Sequence, residues 1–261
     1  MYKQPMYKVE VKAYLCSIEI YVNEIPCFSY FDEPQIATDI PINNLIFNSG
    51  KQKLRFKITP LFNNEKLNKE AKIEINVLVK ESDDFYLKKQ LIKSYVNKES
   101  LDELPWFEDE LNFEATIPYN LDSSFVNYSF INEEKDKLFS EVYNQYVVLT
   151  NFINKQDVNN YNKLTEIRFN AFAKAHYLDD SKQNYYLNKS LNSFKDYTLT
   201  LVPKIDYTLK FCYDNKLIYL QKIKNAPGLI LEDLSSGDEL LHFTESAIFF
   251  KDKNGQLKLF R

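Results

Sequence analysis

Side-chain rhythm constrains this chain most. From about residue 9 to residue 117, apolar and polar residues alternate in short runs. From about 132 to 194 the apolar residues recur every three or four positions, and from 207 the alternation returns. A period of two belongs to strands with one buried face, and a period near 3.6 to amphipathic helices. Strands first, helices next and strands again give an α+β chain. The expected architecture is an N-terminal antiparallel β-sandwich followed by a domain of helices packed on an antiparallel sheet. With 261 residues there is enough chain for two modest cores. The expected domains are residues 1–121 and 131–261.

The N-terminal half is organised around Ile40 to Pro60. Ile40, Ile42, Leu45, Ile46 and Phe47 form an apolar anchor broken by Pro41 and two asparagines. Asn48-Ser49-Gly50 is a turn signal, since glycine accepts a positive φ without steric cost. Leu54, Phe56 and Ile58 then alternate with Lys53, Arg55 and Lys57, and Pro60 stops the ladder. Val9 to Leu15, Ile18 to Val22 and Ile25 to Tyr30 read as strands, the first two joined by a tight turn or bulge near Ser17. Phe31 to Asp39 reads as a polar loop. Ile73, Ile75, Val77 and Val79 define a strand expected to pair with the one at Gln52–Thr59 through a long loop. Ser82 to Val96, with Phe85 and Leu87, suits a short helix or an irregular strand. Glu99 to Glu110 is acidic and holds Pro105-Trp106, and Leu111 to Ile117 alternates again.

In the second half, Leu138, Val142, Gln145, Tyr146, Leu149, Phe152 and Ile153 form one helical stripe. Asn132 is the expected cap, with Glu133, Glu134 and Asp136 near the positive end. Asp157 is expected to cap one helix running through Tyr161, Arg168 and Ala175. A third opens at Ser181 and carries Tyr185, Leu187, Leu191 and Phe194. Asp214-Asn215 and Asn254-Gly255 mark hairpins, while Pro227-Gly228 and Ser235-Ser236-Gly237 mark breaks.

Composition narrows the function. The net charge is −4 and the lysines are interleaved with acids, which argues against nucleic acid. No apolar run approaches the roughly 20 residues of a membrane span. The start of the chain lacks the apolar core of a signal peptide, so the expected compartment is cytoplasmic, or periplasmic if the sequence is a trimmed piece. Cys16, Cys27 and Cys212 show no metal spacing and read first as buried free thiols; the alternative is that Cys16 and Cys27 face each other across adjacent strands. Four glycines leave little for a phosphate-cradling loop, and nothing calls for a cofactor or metal. Aromatics make up 15% of the chain, with 19 tyrosines and 20 phenylalanines, and tyrosine suits interfaces.

The order strand, apolar anchor, Ser-Gly and alternating strand ending at Pro60 resembles accessory β-sandwich domains of bacterial proteins. The helical stripe and the strands around Tyr207–Leu220 and Ala247–Phe260 resemble cystatin-like α+β folds. That resemblance implies helices on a curved antiparallel sheet. The fold hosts enzymes and pure binders alike, so it implies no one activity.

Two histidines permit a catalytic pair arithmetically. His176, near a helix end beside Asp179 and Asp180, reads first as a complement to the helix dipole and second as a general base. His242 reads as a structural residue at a strand edge. Glu108-Asp109-Glu110, Asp179-Asp180, Glu232-Asp233 and Asp238-Glu239 read as solvated turns. Trp106 and Phe107, framed by acids, are candidate partner anchors or a plug closing the sandwich. Tyr185 and Tyr186 are a second candidate contact, with one ring expected inward and one outward. The resulting expectation is a non-enzymatic protein-binding module, in its finer form a bacterial immunity protein that neutralises a basic toxin. The alternatives are an envelope-associated glycan-binding or structural protein, and an enzyme of the cystatin-like class using His176.

Overall fold

A computed structural model describes residues 2–82, 89–97, 99–233 and 241–261. The chain divides into two compact units, Met1–Asp122 with Lys174–Tyr177, and Ser123–Ala173 with Leu178–Arg261. It is α+β, with strands first and four helices packed with antiparallel sheets afterwards.

The strands of the first unit are β1 (Pro5–Tyr14), β2 (Ser17–Val22), β3 (Ile25–Tyr30), β4 (Gln35–Pro41), β5 (Gly50–Thr59), β6 (Lys72–Glu81), β7 (Gln90–Val96) and β8 (Phe107–Ala115). They form two four-stranded antiparallel sheets, ordered β4-β1-β6-β7 and β3-β2-β5-β8. The alternation read in the sequence sends Val9 and Val11 from one sheet, and Ile18, Ile20, Leu54, Phe56 and Ile58 from the other, into full burial. Rings cross between the sheets, Tyr7 to Phe113 at 6.3 Å and Phe56 to Tyr95 at 4.7 Å. Two inner faces packed in this way make a sandwich.

The apolar anchor closes this core. Ile42, Leu45 and Ile46 are fully buried around a single 3-10 turn, Asn43–Leu45. Each contributes up to about 2–3 kcal/mol by leaving water. Asn43 is buried with them, and its amide is used completely: Oδ1 accepts from the Tyr7 N–H at 2.6 Å, and Nδ2 donates to the carbonyls of Pro5 and Ala175 at 2.8 and 3.1 Å. A buried amide with every partner supplied fixes one arrangement of its neighbours. Gly50 opens β5 at φ +119°, as the turn signal requires.

Several expectations need correction. The strands at Gln52–Thr59 and Ala71–Lys80 do not pair; β5 lies between β2 and β8, and β6 between β1 and β7. Alternation reports which side of a strand is buried, not its neighbour, and the connection after Pro60 crosses to the other sheet. The expected loop at Phe31–Asp39 is largely β4, an edge strand whose half-exposed residues read as polar. Cys27, half-buried, is the extra residue of a bulge between the Ile20–Phe28 and Tyr21–Pro26 pairs, and the buried Cys16 precedes β2; neither is in a disulfide. The ambiguous segment yields strand β7, while Phe85 and Leu87 lie outside the described residues.

The second unit holds α1 (Lys135–Asn154), α2 (Val158–Leu164), α3 (Glu166–Ala175, whose last two residues group with the first unit) and α4 (Asp180–Lys189). Its strands are β9 (Leu199–Leu201), β10 (Tyr207–Cys212), β11 (Leu217–Lys222), β12 (Leu229–Asp233), β13 (Leu241–Glu245), β14 (Phe249–Lys251) and β15 (Leu257–Leu259). The α1 stripe of Leu138, Val142, Tyr146, Leu149 and Ile153 is wholly buried against Ile218, Leu220, Ile230 and Phe249. Asn132 does not cap α1. The helix starts at Lys135, so the cap position is Glu134, without a side-chain bond, while Glu133 pairs with Lys251 and accepts from the Tyr128 hydroxyl. Asp157 does cap α2, accepting from the Asn160 N–H at 3.2 Å. The single expected helix is bent at Thr165, whose hydroxyl donates back to the Tyr161 carbonyl at 2.9 Å. Such back-bonding competes with the helical ladder and bends it.

The strands of this unit form two sheets, β13-β12-β9 and β10-β11-β14-β15, where a cystatin-like fold would carry one curved sheet. Tyrosine hydroxyls serve the backbone where the sheets part. The Tyr146 hydroxyl accepts from the Leu220 N–H at 3.1 Å and donates to the Ala247 carbonyl at 3.0 Å. The Tyr207 hydroxyl accepts from the Ile230 N–H at 2.8 Å. Gly228 sits at this junction with φ +128°, and a Cβ there would lie 2.3 Å from the Glu245 carbonyl oxygen. Both hairpins read from Asp214-Asn215 and Asn254-Gly255 are present, with φ +52°, +59° and +74° at Asp214, Asn215 and Gly255. The expected break at Ser235-Ser236-Gly237 lies outside the described residues. Among the described residues no helix is long and apolar enough to cross a membrane.

Candidate functional site

The first unit has one flank where its two sheets end side by side, on the edge strands β7 and β8. Along β8 the inward positions Leu111, Phe113 and Ala115 are buried, but the pattern fails toward the start of the strand. Phe107 is half-buried and Asp109 is exposed, although both share the parity of the core residues. An inward-pointing carboxylate avoids its desolvation cost only if the sandwich is open there.

Two clefts lie on this flank. One, of about 620 Å³, is lined by Tyr2, Tyr7, Glu81, Gln90, Ile92, Glu114 and others. The second, of about 540 Å³, is lined by Tyr95, Val96, Glu99, Leu104, Phe107, Asp109 and others. Among the described residues neither lining contains lysine or arginine. Burial pushes the Tyr95 phenol up, and Asp109 and Glu99 push it further in the same direction. That ring therefore stands in a negative field. Beside the clefts, Leu91, Val96, Leu104 and Trp106 are 55%, 52%, 39% and 51% exposed. Apolar side chains clustered at a polar rim are the usual marks of a contact surface.

Trp106 does not seal the sandwich. It precedes β8 on the opposite parity to Phe107 and lies over Lys57, whose Nζ is 5.3 Å from the ring centroid. Phe107 points the other way and meets Phe56 at 6.3 Å. The outer face of the same sheet is occupied by a charge ladder. Lys53 meets Glu110 at 2.6 Å and Glu24 at 3.1 Å, and Arg55 meets Glu108 at 3.3 Å while stacking on Tyr21 at 3.9 Å. Exposed pairs of this kind contribute only about 0–1 kcal/mol each.

In the second unit, α4 carries Tyr185 and Tyr186. Asp179 caps it, accepting from the Lys182 N–H at 2.8 Å. No residue of α4 is buried, and Leu191 and Phe194, expected within it, follow it. The expectation of one inward tyrosine is corrected, since the rings are 61% and 46% exposed. Tyr186 meets Phe172 edge-on at 6.2 Å, and the two tyrosine rings are 5.7 Å apart.

The two histidines belong to different units, His176 to the first and His242 to the second. Burial lowers the His176 pKa to about 4, so its imidazole is neutral at physiological pH and a weak base. None of the clefts described above is lined by it. His242 lies on the edge strand β13 with Nδ1 3.8 Å from Glu232. Arg168 of α3 is locked in place, bonding Glu245 at 2.6 Å, the Ser246 carbonyl at 2.9 Å and the Tyr161 hydroxyl at 2.8 Å. Burial opposes its charge, and Glu245 and Tyr161 more than restore it. Lys251, 7% exposed, is held by Glu133 and by Glu141 at 3.2 Å. Both clusters satisfy buried charges internally. Among the described residues no group of three or more His, Cys, Asp or Glu is placed to hold a metal. The pair Asp238-Glu239 lies outside the described residues.

Sequence reading singled out Trp106 and Phe107, took Glu108-Asp109-Glu110 for a solvated turn where the structure has strand β8, and missed Tyr2, Tyr7, Tyr95 and Glu114. The available signal was the stretch Glu99–Glu110, with six acids and no base. No family model, curated protein or solved structure matches the chain.

Proposed function

We propose that the chain is a non-enzymatic protein-binding module whose partner docks on the β7–β8 flank of the first unit. The observation that carries this reading is the coincidence of an open sandwich flank, four exposed apolar side chains and an acidic rim. Trp106 and Phe107 are the anchors, one on each side of β8. Tyr185 and Tyr186 offer a second aromatic contact on α4. Aromatic anchors ringed by polar groups concentrate binding energy in a few residues.

In its finer form the reading is a bacterial immunity protein that masks a basic toxin in the cytoplasm. The acidic flank supports it, because such a surface speeds the approach of a basic partner. Sugar stacking has less support: Tyr21 is covered by Arg55, and Lys57 lies against Trp106. The enzyme reading has less support, because desolvation makes its candidate base, His176, weaker.

The test is quantitative capture from the native host with wild-type protein, Trp106→Ala and Tyr185→Ala/Tyr186→Ala. The expected outcome is a protein retained by wild type and lost by at least tenfold with Trp106→Ala. Capture indifferent to that substitution refutes the proposed surface.

A further inference from the structure

We infer that the β7–β8 flank reads two cationic side chains, preferably arginines, of one extended partner segment, one in each cleft. This rests on the protein-binding reading and names the chemistry of the partner.

Each cleft has the same ingredients. The first offers the ring of Tyr2 with the carboxylates of Glu81 and Glu114, above the buried Tyr7. The second offers the rings of Tyr95 and Phe107 with the carboxylates of Glu99 and Asp109. Ring faces attract a cation and carboxylates accept its N–H groups; the planar guanidinium uses both better than an ammonium does. In the first cleft Glu81 is held in the wall by the backbone N–H groups of Lys3 and Gln4, at 2.8 and 2.6 Å. Glu114 stands opposite Lys51 across the ladder, and that lysine is outside the cleft lining. A third cleft of the unit, of about 530 Å³, shows the contrast. Lys12, Lys69 and Lys72 line it, and Lys12 is already bound to Glu74 at 3.1 Å.

The spacing indicates the segment. From Asp109 to Glu114 along β8 is five residues, roughly 16 Å at about 3.3 Å per residue. From Ile92 to Tyr95 along β7 is three residues, roughly 10 Å on the same basis. Asp109 and Glu114 have opposite parity on β8, so an extended chain with cations at i and i+5, roughly 16 Å apart and on opposite sides, matches them. Long-range attraction to the acidic rim makes the contact salt-sensitive.

The test uses fluorescein-labelled nine-residue peptides carrying two arginines two to six positions apart on a serine–valine background. Fluorescence polarisation measures their binding to the full chain. The expected result is tightest binding at a separation of five. Replacing both arginines by citrulline, or the protein by the double variant Asp109→Asn/Glu114→Gln, should weaken binding at least tenfold. Both carboxylates are exposed, so the double variant keeps the core intact. Absence of binding by every peptide overturns the inference, as does binding indifferent to citrulline or to the double variant. If the peptides fail while host capture still depends on Trp106, the cationic reading falls and protein binding stands. If capture fails as well, both fall.

Discussion

His176 shows how one half-buried side chain converts desolvation into pH dependence. Desolvation lowers its folded pKa to about 4, while the unfolded chain titrates near 6.5. Above 6.5 both states are neutral and the residue contributes no slope. As pH falls from 6.5 toward 4 the unfolded state takes up a proton that the folded state refuses, so stability is lost across that window. The loss reaches about 2–3 kcal/mol, since each pKa unit is worth about 1.4 kcal/mol. Urea midpoints at pH 7 and pH 4.5 check this. Wild type should lose that much more stability than His176→Gln between the two pH values, and equal losses would contradict the assignment. The same burial separates this imidazole from a general base, whose pKa belongs near the working pH.

At the scale of elements, the rhythm of the sequence was legible and the partnerships were not. Val9, Leu54 and Ile75 announced buried strand faces, and Leu138 to Ile153 announced the buried side of α1. Nothing in Leu54 or Ile75 told that β5 and β6 belong to different sheets, because period-two patterning is the same whichever strand lies alongside. Strand β4 escaped notice because an edge strand keeps half its surface wet. Thr165 broke an otherwise regular helical stripe through a side-chain bond that periodicity cannot register. Of the candidate surface, Trp106 and Phe107 were legible as aromatics among acids. Tyr7 and Tyr95 were not, since they reach the flank only once the two sheets are stacked.

The parting of the two sheets in the second unit gives an element-scale prediction. Tyr146 is fully buried and serves Leu220 of β11 and Ala247 before β14 with one hydroxyl. Tyr146→Phe leaves a buried N–H and a buried C=O unpaired and should cost about 2–4 kcal/mol in chemical denaturation. The half-buried Tyr143, whose hydroxyl donates to the Val202 carbonyl at 3.2 Å, is the control. Tyr143→Phe should cost no more than about 1 kcal/mol, as an ordinary hydrogen bond does. Equal costs for the two variants would contradict the bridging role.

For the whole molecule, the division of labour between the units follows from where polar groups are satisfied. The second unit closes its buried charges internally, Arg168 with Glu245 and Lys251 with Glu133 and Glu141. The first leaves an acidic, aromatic-walled flank open to water. Buried charge that is fully paired holds a fold in place; unpaired potential at an exposed groove steers association. Amide hydrogen exchange, with and without the partner captured from the host, tests this most directly. Binding should slow exchange in β7, residues 90–96, and in β8, residues 107–115, by at least tenfold. Unchanged exchange in both strands, with protection confined to other surfaces, would contradict the account.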